Sequence, residues 1–398
     1  MKNFTLFQWM IIIILSLLTA LEPLSIDLYL PGFLMITEAF STTPAAVQLS
    51  LSTFLGGFAV GQLFWGPIAD RFGRKKPILI SLLIFIVASI ACIYVRTIEQ
   101  LWVVRFIQAL GGCGGIVISR AVVTDYFDKS KTLRIFTLLA LIMSVAPIVA
   151  PLIGTTILKF SAWKGLFGAM ALLGGIMFLL TAFFLPETHR YKKTSGKGNV
   201  FTGYWEILLV RQFTVYAIVA GIANGALMLY VGSAPFIIME FGGLSADTFS
   251  TVFSINAAGL MVSSYLTGYL QKYMSTEKLV QVAMLAMFVI SIVLLSVIYF
   301  EMSIYVILGV LFFYIFPIGI LFPATTELAI TPFTYNSGSA SALFGSIQLL
   351  VAFICTIISN LITDGSVFFV GVTFFICAVL FLGVFFYLIL TQKRERQI

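Results

Sequence analysis

The chain is short of charge: only 10% of its 398 residues are Asp, Glu, Lys or Arg, while 60% are hydrophobic. It has a single histidine, His189, in a charged loop. Its four cysteines, Cys92, Cys113, Cys355 and Cys377, lie inside apolar runs without metal-ligand spacing. These shortages exclude a zinc site, and the cysteines read as core residues. No Ser-His-Asp arrangement, nucleotide-binding loop or cytoplasmic output domain is present in the sequence, so an enzyme or sensor fits poorly and no cofactor is expected.

What the chain has in abundance is apolar length. A mean hydropathy of +1.09 lies far outside soluble-domain composition. The sequence divides into twelve apolar runs, near 6–30, 47–69, 77–95, 100–124, 134–158, 164–185, 208–239, 247–271, 279–300, 302–326, 337–362 and 366–390. Each is long enough for a membrane-spanning helix. Lys2 ahead of Trp9–Ala20 imitates a signal peptide, but no cleavage site is convincing and the segment reads as a retained first span. The net charge of +7 points to a bilayer rather than to nucleic acid, because 18 of the 23 cations fall on one side of the spans. That bias sets both termini in the cytoplasm of a bacterial inner membrane. A monomer in the lipid bilayer is expected.

Residues 187–206 form the longest polar stretch and read as a linker between an N-terminal bundle, 1–186, and a C-terminal bundle, 207–398. A shift of 202 residues lays Gly66 on Gly268 and Lys76 on Lys278, a weak internal repeat. Parallel halves of six helices each suit an alternating-access carrier better than a channel.

The first span breaks the apolar rule twice, at Glu22 and Asp27. Acids inside a span face the bundle interior and mark ion or proton pathways. At about 1.5 Å per residue from Phe7, Glu22 lies about 22 Å in and Asp27 near 30 Å, at the outer edge. Depth favours Glu22 as proton carrier, while the pattern around Asp27, which ends in Pro31, favours Asp27, ranked first here. Arg105, in span four, lies at roughly the depth of Asp27. A buried guanidinium needs an acceptor, and the two acids of span one are the natural candidates. The glycines Gly111, Gly112, Gly114 and Gly115 that follow allow close helix approach. Arg120 and Glu327, near the inner surface, read equally well as interfacial residues.

The connection Gly66-Pro-Ile-Ala-Asp70-Arg71-Phe-Gly73-Arg74-Lys-Lys76 is a dense basic loop on the cytoplasmic side. Its position away from the membrane interior assigns Gly66, Asp70, Arg71, Gly73 and Arg74 to gating, with Arg74 paired to Asp125. Asp70 is expected to approach residues 335–341, at the start of span eleven. Span five carries Pro147, Pro151 and Gly154 among small neighbours, a kinked and tightly packable helix.

Together these pieces resemble the twelve-helix drug:proton antiporter branch of the major facilitator superfamily, most closely its Bcr/CflA group. Gly66–Lys76 matches that family's loop motif, and Asp27-x-Tyr29-Leu30-Pro31 its acidic motif. Arg105-x-x-Gln108-Ala109-Leu110-Gly111-Gly112 matches its helix-four motif, whose arginine the resemblance ties to proton coupling. Residues 146–155 resemble its helix-five antiporter motif, with Ala146, Ala150 and Thr155 in place of glycines. The resemblance implies an all-α membrane protein of two pseudo-symmetric six-helix bundles that exports small drugs or antibiotics in exchange for protons, and an interior chiefly of Phe, Met and small residues favours lipophilic ones. A dedicated metabolite or siderophore exporter is the alternative. Tyr29 and Gln108, with Asn224, Tyr230 and Asn256 of the second half, are the candidate substrate residues, although interhelical packing is the plainer reading of the last three.

Overall fold

The computed structural model describes residues 4–188, 200–333, 337–362 and 366–395. His189 and most of the polar stretch after it, with Tyr335 and Asn336, lie outside the described residues. The chain forms two compact units, Met1–Lys197 and Gly198–Ile398.

The first unit holds α1 (Leu6–Asp27), a 3₁₀ turn (Leu30–Gly32), α2 (Phe33–Ala39), α3 (Pro44–Phe72), α4 (Lys75–Tyr94), α5 (Ile98–Tyr126), α6 (Lys129–Phe160) and α7 (Lys164–Phe184). The second holds α8 (Val200–Leu209), α9 (Arg211–Pro235), a π-helical turn (Phe236–Phe241), α10 (Ala246–Leu270), α11 (Thr276–Tyr299), α12 (Ile304–Ile330), α13 (Ser337–Ile362) and α14 (Val367–Glu395). Among the described residues, 12 helical stretches are long and apolar enough to cross a bilayer. The protein is a multi-pass, all-α membrane protein.

Local chemistry sets the helix ends. Thr5 and Gln8 form a reciprocal cap that starts α1, while Thr43, Thr97, Ser245 and Ser275 cap α3, α5, α10 and α11. The first span differs from the sequence expectation in length: it continues through the 3₁₀ turn to Ala39. Pro31, the middle residue of the 3₁₀ turn, cannot donate to the helical ladder, but its fixed φ suits a tight turn, so the chain tightens and then resumes as α2. A second difference lies at the end of the polar stretch, where residues from Val200 onward are already helical. Val200, Tyr204, Ile207 and Leu208 recur at helical spacing, and Ile207 is buried.

Packing repeats between the units. In the first, α5 packs on α1, α3 and α4, α4 on α7, and α1 on α6; in the second, α12 packs on α9, α10 and α11, α11 on α14, and α9 on α13. The glycines of α5 carry the closest approaches. A Cβ at Gly111 would lie 2.4 Å from the Phe85 backbone nitrogen of α4. Leu83, Val87, Val103 and Phe183 are exposed, as side chains facing lipid are.

Candidate functional site

Among the described residues, Arg105 is the largest fully buried side chain, 0% exposed. Its acceptors are not the acids of α1. Nη1 donates to Gln108 Oε1 at 2.7 Å and Nη2 to the Ser25 carbonyl at 3.3 Å, while Nε has no acceptor among the described residues. The Ser25 carbonyl is available because α1 ends there. In a continuing α-helix the Tyr29 amide would bond it, but that amide turns to the Ile26 carbonyl instead. Aromatic faces complete the holder: the guanidinium carbon lies 4.2 Å from the centre of Phe54 and 4.7 Å from that of Tyr29, with Phe167 at 5.9 Å. Neutral groups thus replace the expected carboxylate. An ion pair would have to overcome the desolvation of both partners, whereas stacking and amide dipoles spread the charge without burying a second one.

The holder is itself fixed. Gln108 donates through Nε2 to Ser89 Oγ at 2.7 Å, and Ser89 donates to the Phe85 carbonyl. Ser50 donates to the Val47 carbonyl, so in its 2.9 Å contact with the Tyr29 hydroxyl the tyrosine is the donor. Tyr29 and Gln108 are both 0% exposed and fully engaged with neighbouring side chains.

Asp27 sits two residues beyond Ser25 and is 4% exposed. Among the described residues it forms no hydrogen bond and no ion pair. Glu22, one and a half turns earlier, is half-buried and feels the charge of the exposed Arg120 without pairing to it. On the other side, α6 presses against the end of α1. A Cβ on Gly154 would lie 2.5 Å from the Leu28 carbonyl and 3.2 Å from Pro31. Pro147 and Pro151 stand inside α6, which remains one helix.

At the far end of α3 the basic loop is tightly built. Arg74 Nε donates to Asp125 Oδ2 at 2.7 Å, the pairing expected from the sequence, and Nη1 donates to Asp70. Burial works against the Arg74 charge, but the bonds to Asp125 and Asp70 outweigh it and hold the guanidinium pKa above its ordinary value. Gly73 has φ +91°, a backbone that favours glycine. Glu187, by sequence only the first residue of the polar stretch, accepts from the Arg74 and Lys75 amides at 2.8 and 3.1 Å and so caps α4. Gly66 makes no close approach within its unit: a Cβ added there would meet only Val117, at 3.9 Å. Arg71 is exposed, against the Phe72 ring. Part of the expected docking segment for Asp70, residues 335 and 336, lies outside the described residues.

Residues 15–356 match the sequence profile of the Major Facilitator Superfamily. The chain belongs to the major facilitator superfamily. It is 33% identical over 390 residues to the uncharacterized MFS-type transporter YdgK of Bacillus subtilis, covering 96% of each chain. It is 29% identical over 348 residues to a bicyclomycin resistance protein homolog of Haemophilus influenzae, covering 85% of this chain and 86% of that one. A D-xylose-proton symporter structure superposes with a TM-score of 0.78 at 13% identity, over 94% of this chain and 97% of that one, and shows the same fold. Membership makes the protein a transporter rather than an enzyme.

In the second unit of this major facilitator protein, Asn256 Nδ2 donates to the Tyr230 hydroxyl at 2.6 Å, and Tyr230 stacks on Phe253 with centroids 5.6 Å apart. Asn224 reaches the Gln348 carbonyl of α13 at 3.4 Å. These bonds fit the packing reading of all three residues. The weak repeat goes further than Gly66 and Lys76: the 202-residue shift also lays Asp125 on Glu327. There Gln271 donates to Glu327 Oε2 at 2.5 Å and to Thr276 Oγ1 at 3.2 Å. The second unit thus keeps the acid of the loop cluster and meets it with a neutral amide.

Proposed function

We propose that this transporter is a proton-driven exporter of small lipophilic drugs or antibiotics, working by alternating access in a bacterial inner membrane with both termini cytoplasmic. The observation that carries this reading is a buried acid at the end of α1 that no cation among the described residues holds. Asp27 is buried without a partner, and two residues earlier the backbone holds the buried cation Arg105. A carboxyl that has no fixed partner is suited to take up and release a proton. The likeness to a bicyclomycin resistance protein homolog supports the direction and the substrate class. One proton moving inward yields about 2.3 kcal/mol per 100 mV, enough to hold a neutral substrate at about a fortyfold outward gradient.

The Asp70–Arg74–Asp125 cluster, braced by Glu187, acts in this reading as a gate at the cytoplasmic end. Its bonds favour one state of the cycle rather than bind cargo.

The test is transport in proteoliposomes with an imposed pH gradient, after a growth-inhibition panel has chosen the compound. Asp27→Asn is expected to abolish uphill export while downhill exchange continues. Full proton-driven export by Asp27→Asn with an inactive Glu22→Gln moves the role to Glu22. Export surviving both substitutions refutes the carboxylate mechanism.

A further inference from the structure

At the start of α9 the second unit has a groove of about 470 Å³, within the size range of ligand sites. Leu208, Val215, Ile218, Gly383 and Val384 line it, together with Arg211 and Tyr387. Thr214, its other polar wall residue, bonds the Leu208 carbonyl. Arg211 donates through Nε to the Tyr387 hydroxyl at 2.9 Å and lies 5.0 Å over that ring. No carboxylate pairs with Arg211 among the described residues, and the side chain is exposed. An exposed guanidinium fixed by stacking, above an apolar slot at the end of a membrane span, has the chemistry of a phosphate on an acyl chain.

The surroundings agree. Helix α8 leads into the groove with Trp205 and Leu209 exposed at 65% and 69%, as on a helix lying in the bilayer interface.

We propose that the groove binds an anionic glycerophospholipid, with an acyl chain against α9 and α14 and its phosphate at Arg211. Only the choice of leaflet rests on the cytoplasmic orientation proposed above. Binding by purified protein requires neither that orientation nor transport, so failure of the export reading leaves this one standing.

The experiment uses the full chain reconstituted in nanodiscs of phosphatidylcholine alone or mixed with phosphatidylglycerol, with retained lipid counted by native mass spectrometry. Two variants separate headgroup from chain. Arg211→Gln removes the cation. Gly383→Leu fills the slot from α14 at a position where an added Cβ meets nothing within 4 Å, so the helix accommodates it. Wild type is expected to retain phosphatidylglycerol over phosphatidylcholine. Arg211→Gln should weaken that retention about fivefold, the worth of one cation near an anionic surface. Gly383→Leu should abolish it, with melting unchanged. Equal retention of both lipids, displacement by inorganic phosphate alone, or undiminished phosphatidylglycerol in both folded variants would overturn the proposal. A lipid-free dimer whose contact is lost in Gly383→Leu would overturn it as well.

Discussion

Replacing Arg105 by lysine keeps the charge and removes the shape, which makes it the sharpest probe of the holder around it. The guanidinium makes one bond of 2.7 Å and one of 3.3 Å and lies between the faces of Phe54 and Tyr29. A bond to a charged group contributes about 1.5–3 kcal/mol, and a desolvated cation–π contact about 2 kcal/mol. An ammonium on a flexible stem satisfies one acceptor and loses the planar stacking, leaving either Gln108 or Ser25 unpaired. Arg105→Lys is therefore expected to destabilise the first unit by about 2–4 kcal/mol and to stop uphill export. Thermal melting of purified protein measures the first effect, with Arg96→Lys at an exposed site as the control. Gln108→Leu should cost a similar amount, since it removes the shorter bond and the link to Ser89. The double variant should cost clearly less than the sum, because both substitutions break one shared bond. An Arg105→Lys protein that melts and exports like wild type refutes the account, and so does strict additivity with Gln108→Leu.

Two further outcomes follow from close approaches. Gly154→Val puts a side chain where a Cβ would already be 2.5 Å from the Leu28 carbonyl, so α6 must move off α1. Overpacking of this kind costs about 1–3 kcal/mol, and the variant should insert normally but show reduced transport in vesicles. Gly73→Ala meets both a positive φ and the Glu187 carboxylate at 2.7 Å, and should lower the melting point. In a Glu187→Ala background only the backbone strain, about 1–3 kcal/mol, should remain on adding Gly73→Ala; a full-sized effect there would show that the carboxylate is not what the alanine strikes.

Much of this architecture is legible in the sequence because hydropathy and charge act locally. The spans follow from apolar length, and the Arg74–Asp125 pair from two opposite charges assigned to one side of the membrane. The acceptors of Arg105 are another matter. Gln108 lies one turn along the same helix and could have been found from its i, i+3 spacing. The Ser25 carbonyl could not, since every residue has one and only the change of hydrogen-bond register before Pro31 sets this one apart. Glu187 was hidden by its setting at the edge of a polar stretch, where a cap and a solvated acid look alike. Helix α8 was hidden likewise, because the composition of the stretch outweighed the periodicity of its final residues.

The release of the Ser25 carbonyl has a consequence for genetics. Because the acceptor belongs to the backbone, replacing Ser25 by alanine leaves it in place, although the side chain's own bond to the Leu21 carbonyl is lost. An alanine scan would therefore pass over one of the two groups that hold the buried cation. The sensitive position lies six residues away, at Pro31. A residue with an amide proton there would offer the helix a way to continue and draw the Tyr29 amide back to Ser25, so that Arg105 would share its acceptor with that amide. Variation that looks like a loop change would then act on the charge at the centre of the first unit.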